Sequence, residues 1–326
     1  MTSPIQFFIV NAFSSVPFRG NPATVCIVPR NFLSFSEDSQ TNFFAKVAAE
    51  VSLVETAFVL PPDQPKTDYK LRFFTRRKEM NFCGHATLAA AHILHTEFRF
   101  PSDEIYFSTS TGVIVVKVLK NQSLYELDLH PSLPTSLQNV SVDDLKLKLA
   151  VALQIRKSLQ SGDACADHIL DLTFHEGSHN LIVVLANAWN VTQACVNPSK
   201  LMESVPPFVS KVTITATPNF TIIPSGSGAS DSSEESKEEE KWKRYDFITR
   251  LFAPWLGIDE DAVSGASHAI LAQYWRRKGK VLKHKLLCFQ PSSRGGEVVL
   301  TVNGDRVGVS GEATTISRGA LVTSRL

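Results

Sequence analysis

NFCGHATLAAAHIL, residues 81–94, and DAVSGASHAILAQYW, residues 261–275, are two copies of one device: a polar loop, a glycine, then an apolar helix. Alignment on Gly84 and Gly265 sets Cys83 against Ser264 and His85 against Ala266. The runs from Ala86 and from Ser267 are too apolar to lie on a surface, so each predicts a buried helix. A helix start exposes unpaired N–H groups and the positive end of the macrodipole, which suits a small anion such as a carboxylate. Two such starts predict a two-halved α+β protein for a small acid.

The flanking sequence repeats the same order. In the first half, strands are expected at Gln6–Ala12, Ala23–Val28, ETAFVL (55–60) and YKLRFFT (69–75), with a bend at Gly20-Asn21-Pro22. Ser34 and Glu37 form a capping-box pattern ahead of a helix reaching about Glu50, where Phe43, Phe44, Val47, Ala48 and Val51 recur at helical spacing. Residues 104–129 supply hairpin strands with turns at Thr111-Gly112 and Asn121-Gln122. LHPSLPTSL, with Pro131 and Pro134, is the inter-domain linker and divides the chain into 1–129 and 130–326. The second half predicts a helix over Val142–Ser158, strands at LIVVL, TITAT and YDFITRLF, a loop through Asp259–Ser264, and a strand-rich tail including EVVLTV and DRVGVS. PSGSGASDSSEESKEEEK, residues 224–241, holds almost no apolar residue and is expected to be a disordered insertion.

Composition narrows the function. With 43% apolar and 20% charged residues the chain is that of an ordinary globular protein, and a net charge of +1 favours neither nucleic acid nor a membrane surface. Five scattered cysteines without CxxC spacing argue against a disulfide framework or zinc ribbon, and the N-terminus lacks a signal-peptide pattern. A cytoplasmic location with reduced thiols is expected, and a small molecule is the expected partner.

Glu55, between Leu53-Val54 and TAFVL, is the first carboxylate to consider, because a chain entering the core would desolvate it and raise its pKa toward neutrality. Glu50, at a helix end, is the weaker candidate. His85 follows Cys83-Gly84 at a helix start, where the dipole favours a neutral ring; Asp261 occupies the equivalent loop of the second half as an anion. Cys83 is either a thiol activated by the helix start or a buried, inert one, and its counterpart Ser264 leaves no two-thiol relay. HEGSH, residues 175–179, matches a zinc-protease spacing only formally, since a Gly-Ser pair precedes a strand where the motif needs a helix. The basic run WRRKGKVLKHK reads as a solvated helix end.

Taken together, VNAFSSVPFRGNPATVCIV, AAEVSLVETAFVL, LRFFTRRKEMNFCGHATLAAA, FAPWLGIDEDAVSGASHAIL and SSRGGEVVLTV closely resemble the PhzF-like, phenazine biosynthesis-like family. The resemblance implies the diaminopimelate-epimerase-like fold, two pseudo-symmetric halves that are each a curled, mostly antiparallel sheet around a central helix, with the site between them. It implies isomerisation by proton transfer without a cofactor, a carboxylate-bearing substrate, and a homodimer. Residue by residue it assigns catalysis to Glu55, His85 and Asp261, and substrate binding to Asn21, Cys83, Gly84, Ser264, Gly265 and Ala266. Val54 and Ser264 depart from the family's Ser and Thr, Ala266 stands where it has Ser, and Arg76, Arg77 and Lys78 replace its usual Pro-containing loop. Ala266 and the acidic insertion keep open a catalytically silent binding or scaffold protein, and an epimerase that works through Cys83 is a third reading.

Overall fold

The computed structural model describes residues 4–51, 55–62, 68–155, 165–218 and 240–322. Two compact units divide the chain, one running to Leu129 and resuming at Gly308, the other spanning His130–Val307.

In the first unit, β1 (Ile5–Ala12) pairs antiparallel with β2 (Asn21–Ile27). After α1 (Glu37–Val51), β3 (Thr56–Leu60) joins β2 in parallel and β4 (Tyr69–Phe74) joins β3 antiparallel. The two-residue β5 (Glu79–Met80) doubles back on β4 and leads to α2 (Gly84–Thr96). Then β6 (Glu104–Thr109) pairs parallel with β4, and β7 (Gly112–Leu119) and β8 (Leu124–Leu129) follow as antiparallel neighbours. Every residue of β3 is buried, which is why TAFVL is a continuous apolar run. Phe58 stacks on Phe44 of α1 with ring centroids 4.2 Å apart, in a cluster with Cys26 and Phe74. Strand alternation turns Glu55, Ala57 and Val59 to the opposite face, where α2 packs against β1, β2 and β3. α2 is buried from Ala86 through Leu94, and its alanines let the backbone lie close on the sheet.

The cap of α1 corrects the sequence reading. Ser34 ends a short 3-10 turn with its Oγ bonded to Asn31 O, and Ser36 caps the helix instead, accepting from Ser39 N at 3.3 Å. A serine two residues further on satisfies the same orphan donors, so the pattern signals a start without fixing its register.

The second unit holds α3 (Val142–Ala152), β9 (Ile169–His175), β10 (Asn180–Leu185), α4 (Ala188–Gln193), α5 (Pro198–Ser204), β11 (Lys211–Ala216), β12 (Phe247–Ala253), β13 (Ile258–Asp261), α6 (Gly265–Arg277), β14 (Lys285–Gln290) and β15 (Gly296–Asn303). Its pairing repeats the first unit's step for step. β9–β10 is antiparallel, β10–β11 parallel, β11–β12 and β12–β13 antiparallel, β12–β14 parallel and β14–β15 antiparallel. So β13 corresponds to β5, α6 to α2 and β14 to β6, as the two glycine-led stretches imply. α3 stops at Ala152, short of the expected Ser158; residues 156–164 and most of the acidic stretch 224–241 lie outside the described residues.

β16 (Arg306–Gly311) and β17 (Ala313–Leu321) end the chain. β17 pairs antiparallel with β1 along its whole length, from Ile5↔Leu321 to Ala12↔Ala313. Gly308–Leu326 cluster with the first unit, whereas the sequence reading groups them in a half spanning 130–326.

Candidate active site

Glu55 is the last residue before β3, and its carbonyl accepts from Thr24 N at 3.0 Å, which fixes the backbone that carries its carboxylate. Its Oε2 lies 3.4 Å from Nε2 of His85, with the two side chains only 13% and 11% exposed. On the other side of the ring, Nδ1 lies 3.3 Å from Nδ2 of Asn21. Asn21 opens β2 and is buried, delivered there by Gly20 at φ +70°, where a Cβ would stand 2.2 Å from Ala12 O. Cys83 is the residue before α2, and its side chain makes no capping bond to the helix. Its Sγ lies 3.5 Å from Nδ1 and 3.7 Å from Nε2, nearly equidistant from the two nitrogens and therefore in line with neither N–H.

These contacts reverse both charge expectations. For Glu55, burial favours the neutral acid, but the His85 hydrogen bond, the His85 charge and a backbone N–H together outweigh it and hold the carboxyl below its usual value. For His85, burial pulls the ring down, while the Cys83 sulfur and the Glu55 carboxylate raise it well above 6.5. The carboxylate is the better placed of the two, since Nε2–H can donate to it directly. The helix start opposes an imidazolium by about 1 kcal/mol or less, too little to break a pair shielded from water. The resting arrangement is therefore a carboxylate ready to accept a proton. Asn21 can follow the ring's state: its Nδ2 donates to a bare Nδ1, and the turned amide offers Oδ1 to an Nδ1–H.

In the second unit, Asp261 ends β13 and Ser264 is the N-cap of α6, its Oγ accepting from Ser267 N at 3.4 Å. Gly265 is buried and Ala266 exposed in the first turn. The structure thus gathers Glu55, His85, Asn21, Cys83 and Gly84 in the first unit and places Asp261, Ser264, Gly265 and Ala266 along one strand–loop–helix junction in the second.

A matched pair of clamps went unread in the sequence. Arg72 of β4 makes a two-point ion pair with Glu79 of β5, both N···O distances 2.7 Å, and its guanidinium lies over the Phe44 and Phe74 rings. Arg250 of β12 does the same to Glu260 of β13 at 2.7 and 3.0 Å, over Phe252. Each clamp anchors the short strand that feeds a glycine-led helix. The available signal was the repeat itself: Arg72-Phe73-Phe74 with Glu79, and Arg250-Leu251-Phe252 with Glu260, five residues ahead of Gly84 and Gly265.

Other motifs resolve plainly. HEGSH is a 3-10 turn at Glu176–Ser178, then His179 in the left-handed region and β10. His175 bonds Ser132 and Ser178 while His179 bonds Phe208 O, so the two rings do not converge. Among the described residues no group of His, Cys, Asp and Glu is arranged to hold a metal, and no helix is long and apolar enough to cross a membrane. Arg76, Arg77 and Lys78 are exposed, and Arg276 and Arg277 lie in the last turn of α6. Val54 lies outside the described residues.

Comparison with known proteins meets this geometry. The phenazine biosynthesis-like protein family, PhzC-PhzF, matches residues 10–319. A phenazine biosynthesis-like domain-containing protein of Bos taurus is 30% identical over 97% of this chain and 99% of its own length. An uncharacterized isomerase of Halalkalibacterium halodurans is also 30% identical, over 99% of each chain. Among solved structures, a PhzF family protein of Enterococcus faecalis superposes with a TM-score of 0.74 at 26% identity, covering 98% of this chain and all of the other. The chain belongs to the PhzC-PhzF, phenazine biosynthesis-like protein family.

Proposed function

We propose that this protein is an isomerase that moves a proton between positions of a small carboxylate-bearing substrate, with Glu55 as the acid–base group. The observation that carries this reading is the buried Glu55–His85–Asn21 chain of contacts at the start of α2, which keeps a carboxylate ionised and oriented where water is scarce. The isomerase of Halalkalibacterium halodurans, matched end to end, supports the same class of reaction.

In the proposed step a C–H bond beside the substrate's carboxylate breaks and its proton passes to a Glu55 oxygen. The electron pair shifts through the adjacent π system, and Glu55 returns the proton to a second carbon. Atoms and charge balance with no external reagent. His85 shapes the timing: while its N–H faces Glu55 it weakens the base, and a substrate oxygen that draws this N–H away restores basicity where the proton is to be taken. Cys83 and the Gly84 N–H belong to the substrate-binding set. Asp261, Ser264, Gly265 and Ala266 enter the proposal as groups that orient the substrate, Ala266 standing where the family resemblance has a serine.

The test is to incubate the protein in heavy water with a panel of cyclic and amino-acid-like carboxylates and follow C–H exchange by NMR. Glu55→Gln should abolish exchange while leaving the melting temperature within a few degrees of wild type. Undiminished exchange in that variant sinks the assignment. One observation favours a silent binding protein instead: a carboxylate held below its usual pKa is a weak base. That reading requires carboxylates that raise the melting temperature yet show no exchange.

A further inference from the structure

We propose that Gln290 is the positioning residue for the loop carrying Asp261, an inference that rests on Asp261 taking part in the proposed reaction. Gln290 is the last residue of β14 and fully buried. Its carboxamide reaches both ends of the loop: Nε2 donates to Asp261 O at 2.6 Å, and Oε1 accepts from Ser264 N at 2.9 Å. Two residues on, Ser292 Oγ donates to Ala262 O at 2.7 Å and accepts from Gly295 N at 3.1 Å. Residues 261, 262 and 264 are therefore all tied to one end of the β14–β15 connection.

The repeated architecture separates a role in the fold from a role in the site. Register identifies the counterpart of Gln290: β4 pairs with β6 at Tyr69↔Phe107 as β12 pairs with β14 at Phe247↔Cys288, which sets Thr109 against Gln290. Thr109 Oγ1 donates to Gly112 O, within its own hairpin. In the first unit the described tie from this hairpin to the loop is an exposed one between side chains, Ser110 Oγ donating to Asn81 Oδ1 at 3.4 Å, so the same strand, loop and helix start form there without a clamp on the loop backbone. What distinguishes the second loop is Asp261, where the first has Met80. A carboxylate that must hold one direction needs a fixed backbone, and a single side chain that both donates and accepts supplies it.

Amide hydrogen exchange on the full-length protein tests this without a substrate. In Gln290→Met, similar in size but unable to bond, exchange over 262–267 should rise at least about tenfold while β12 and β14 keep wild-type protection. Gln290→Glu adds a pH-dependent rescue. Its buried carboxyl, protonated at pH 6.5, can donate to Asp261 O and restore protection, and at pH 9 its ionised form repels that carbonyl and protection is lost. Wild-type protection in Gln290→Met, a loss spread equally through β12 and β14, or no recovery of Gln290→Glu at pH 6.5 would each overturn the proposal. If exchange behaves as expected but Asp261→Asn retains full isomerase activity, the clamp stands and the catalytic reading of Asp261 fails.

Discussion

At the scale of single residues, the Glu55 carboxylate and the Cys83 sulfur compete to hold the proton on His85. Cys83 Sγ lies in line with neither N–H, and Glu55 Oε2 faces Nε2 at 3.4 Å, so the carboxylate should dominate. The His85 titration followed by NMR should have its midpoint well above 6.5 in wild type, fall in Glu55→Gln, and move little in Cys83→Ala. A larger fall in Cys83→Ala would make the sulfur the partner. Glu55, lowered on folding, contributes stability above 4.5 that is lost as pH falls through its folded pKa; His85, raised on folding, contributes stability below 6.5 that is lost as pH rises through its folded pKa. The pair is worth most between those limits. The sequence pattern points to both residues, and the folded structure shifts each in the direction opposite to the one expected from its flanks. Burial of Glu55 is legible in its apolar flanks, whereas its partner lies thirty positions away and only the folded sheet brings it within reach.

At the scale of elements, the start of α2 separates what the fold needs from what the site needs. Gly84 does not have the positive φ that favours glycine, and a Cβ there would meet Phe82 and Leu127 at 3.6 and 3.8 Å, ordinary contact distances. Gly84→Ala should therefore leave stability unchanged or raise it by about 0.5–1 kcal/mol. If the helix start approaches a substrate carboxylate, the same methyl should cut kcat/KM at least about tenfold, mostly through KM. A variant with normal kinetics would remove the backbone of Gly84 from the binding site. The element order was largely legible because hydrophobic period and glycine-led starts are local signals. β9 carried a signal that went unread, since Leu170–His175 alternate apolar and polar residues, whereas neither a long apolar run nor strict alternation marks KLLCFQ in β14. Gln290 was invisible for the same reason: a polar residue at a strand end has no local pattern, and its two partners lie 26 and 29 positions away.

For the whole molecule, the ends of the chain meet in one unit: β17 zips onto β1, and Thr315 of β17 bonds His92 of α2 at 3.0 Å. Removal of the chain after Val307 should strip amide protection from β1 and β2, and intact protection in β1 would show that β17 is dispensable. Each unit also carries a buried histidine on its central helix, His92 on α2 and His268 on α6. Burial depresses both rings to about 4, the His95 charge adding to the effect on His92 and the Ser264 carbonyl opposing it on His268. Between 6.5 and 4 the unfolded chain binds protons that these rings refuse, so stability rises with pH across that window and is fully present above it. Each histidine contributes an acid penalty on the order of 3 kcal/mol at most. Urea denaturation at pH 7 and at pH 4.5 should show a loss of several kcal/mol for wild type, reduced in His92→Gln and His268→Gln separately and further in the double variant. Because the two rings belong to different units, their effects should add, and a double variant as acid-labile as wild type would place the sensitivity elsewhere.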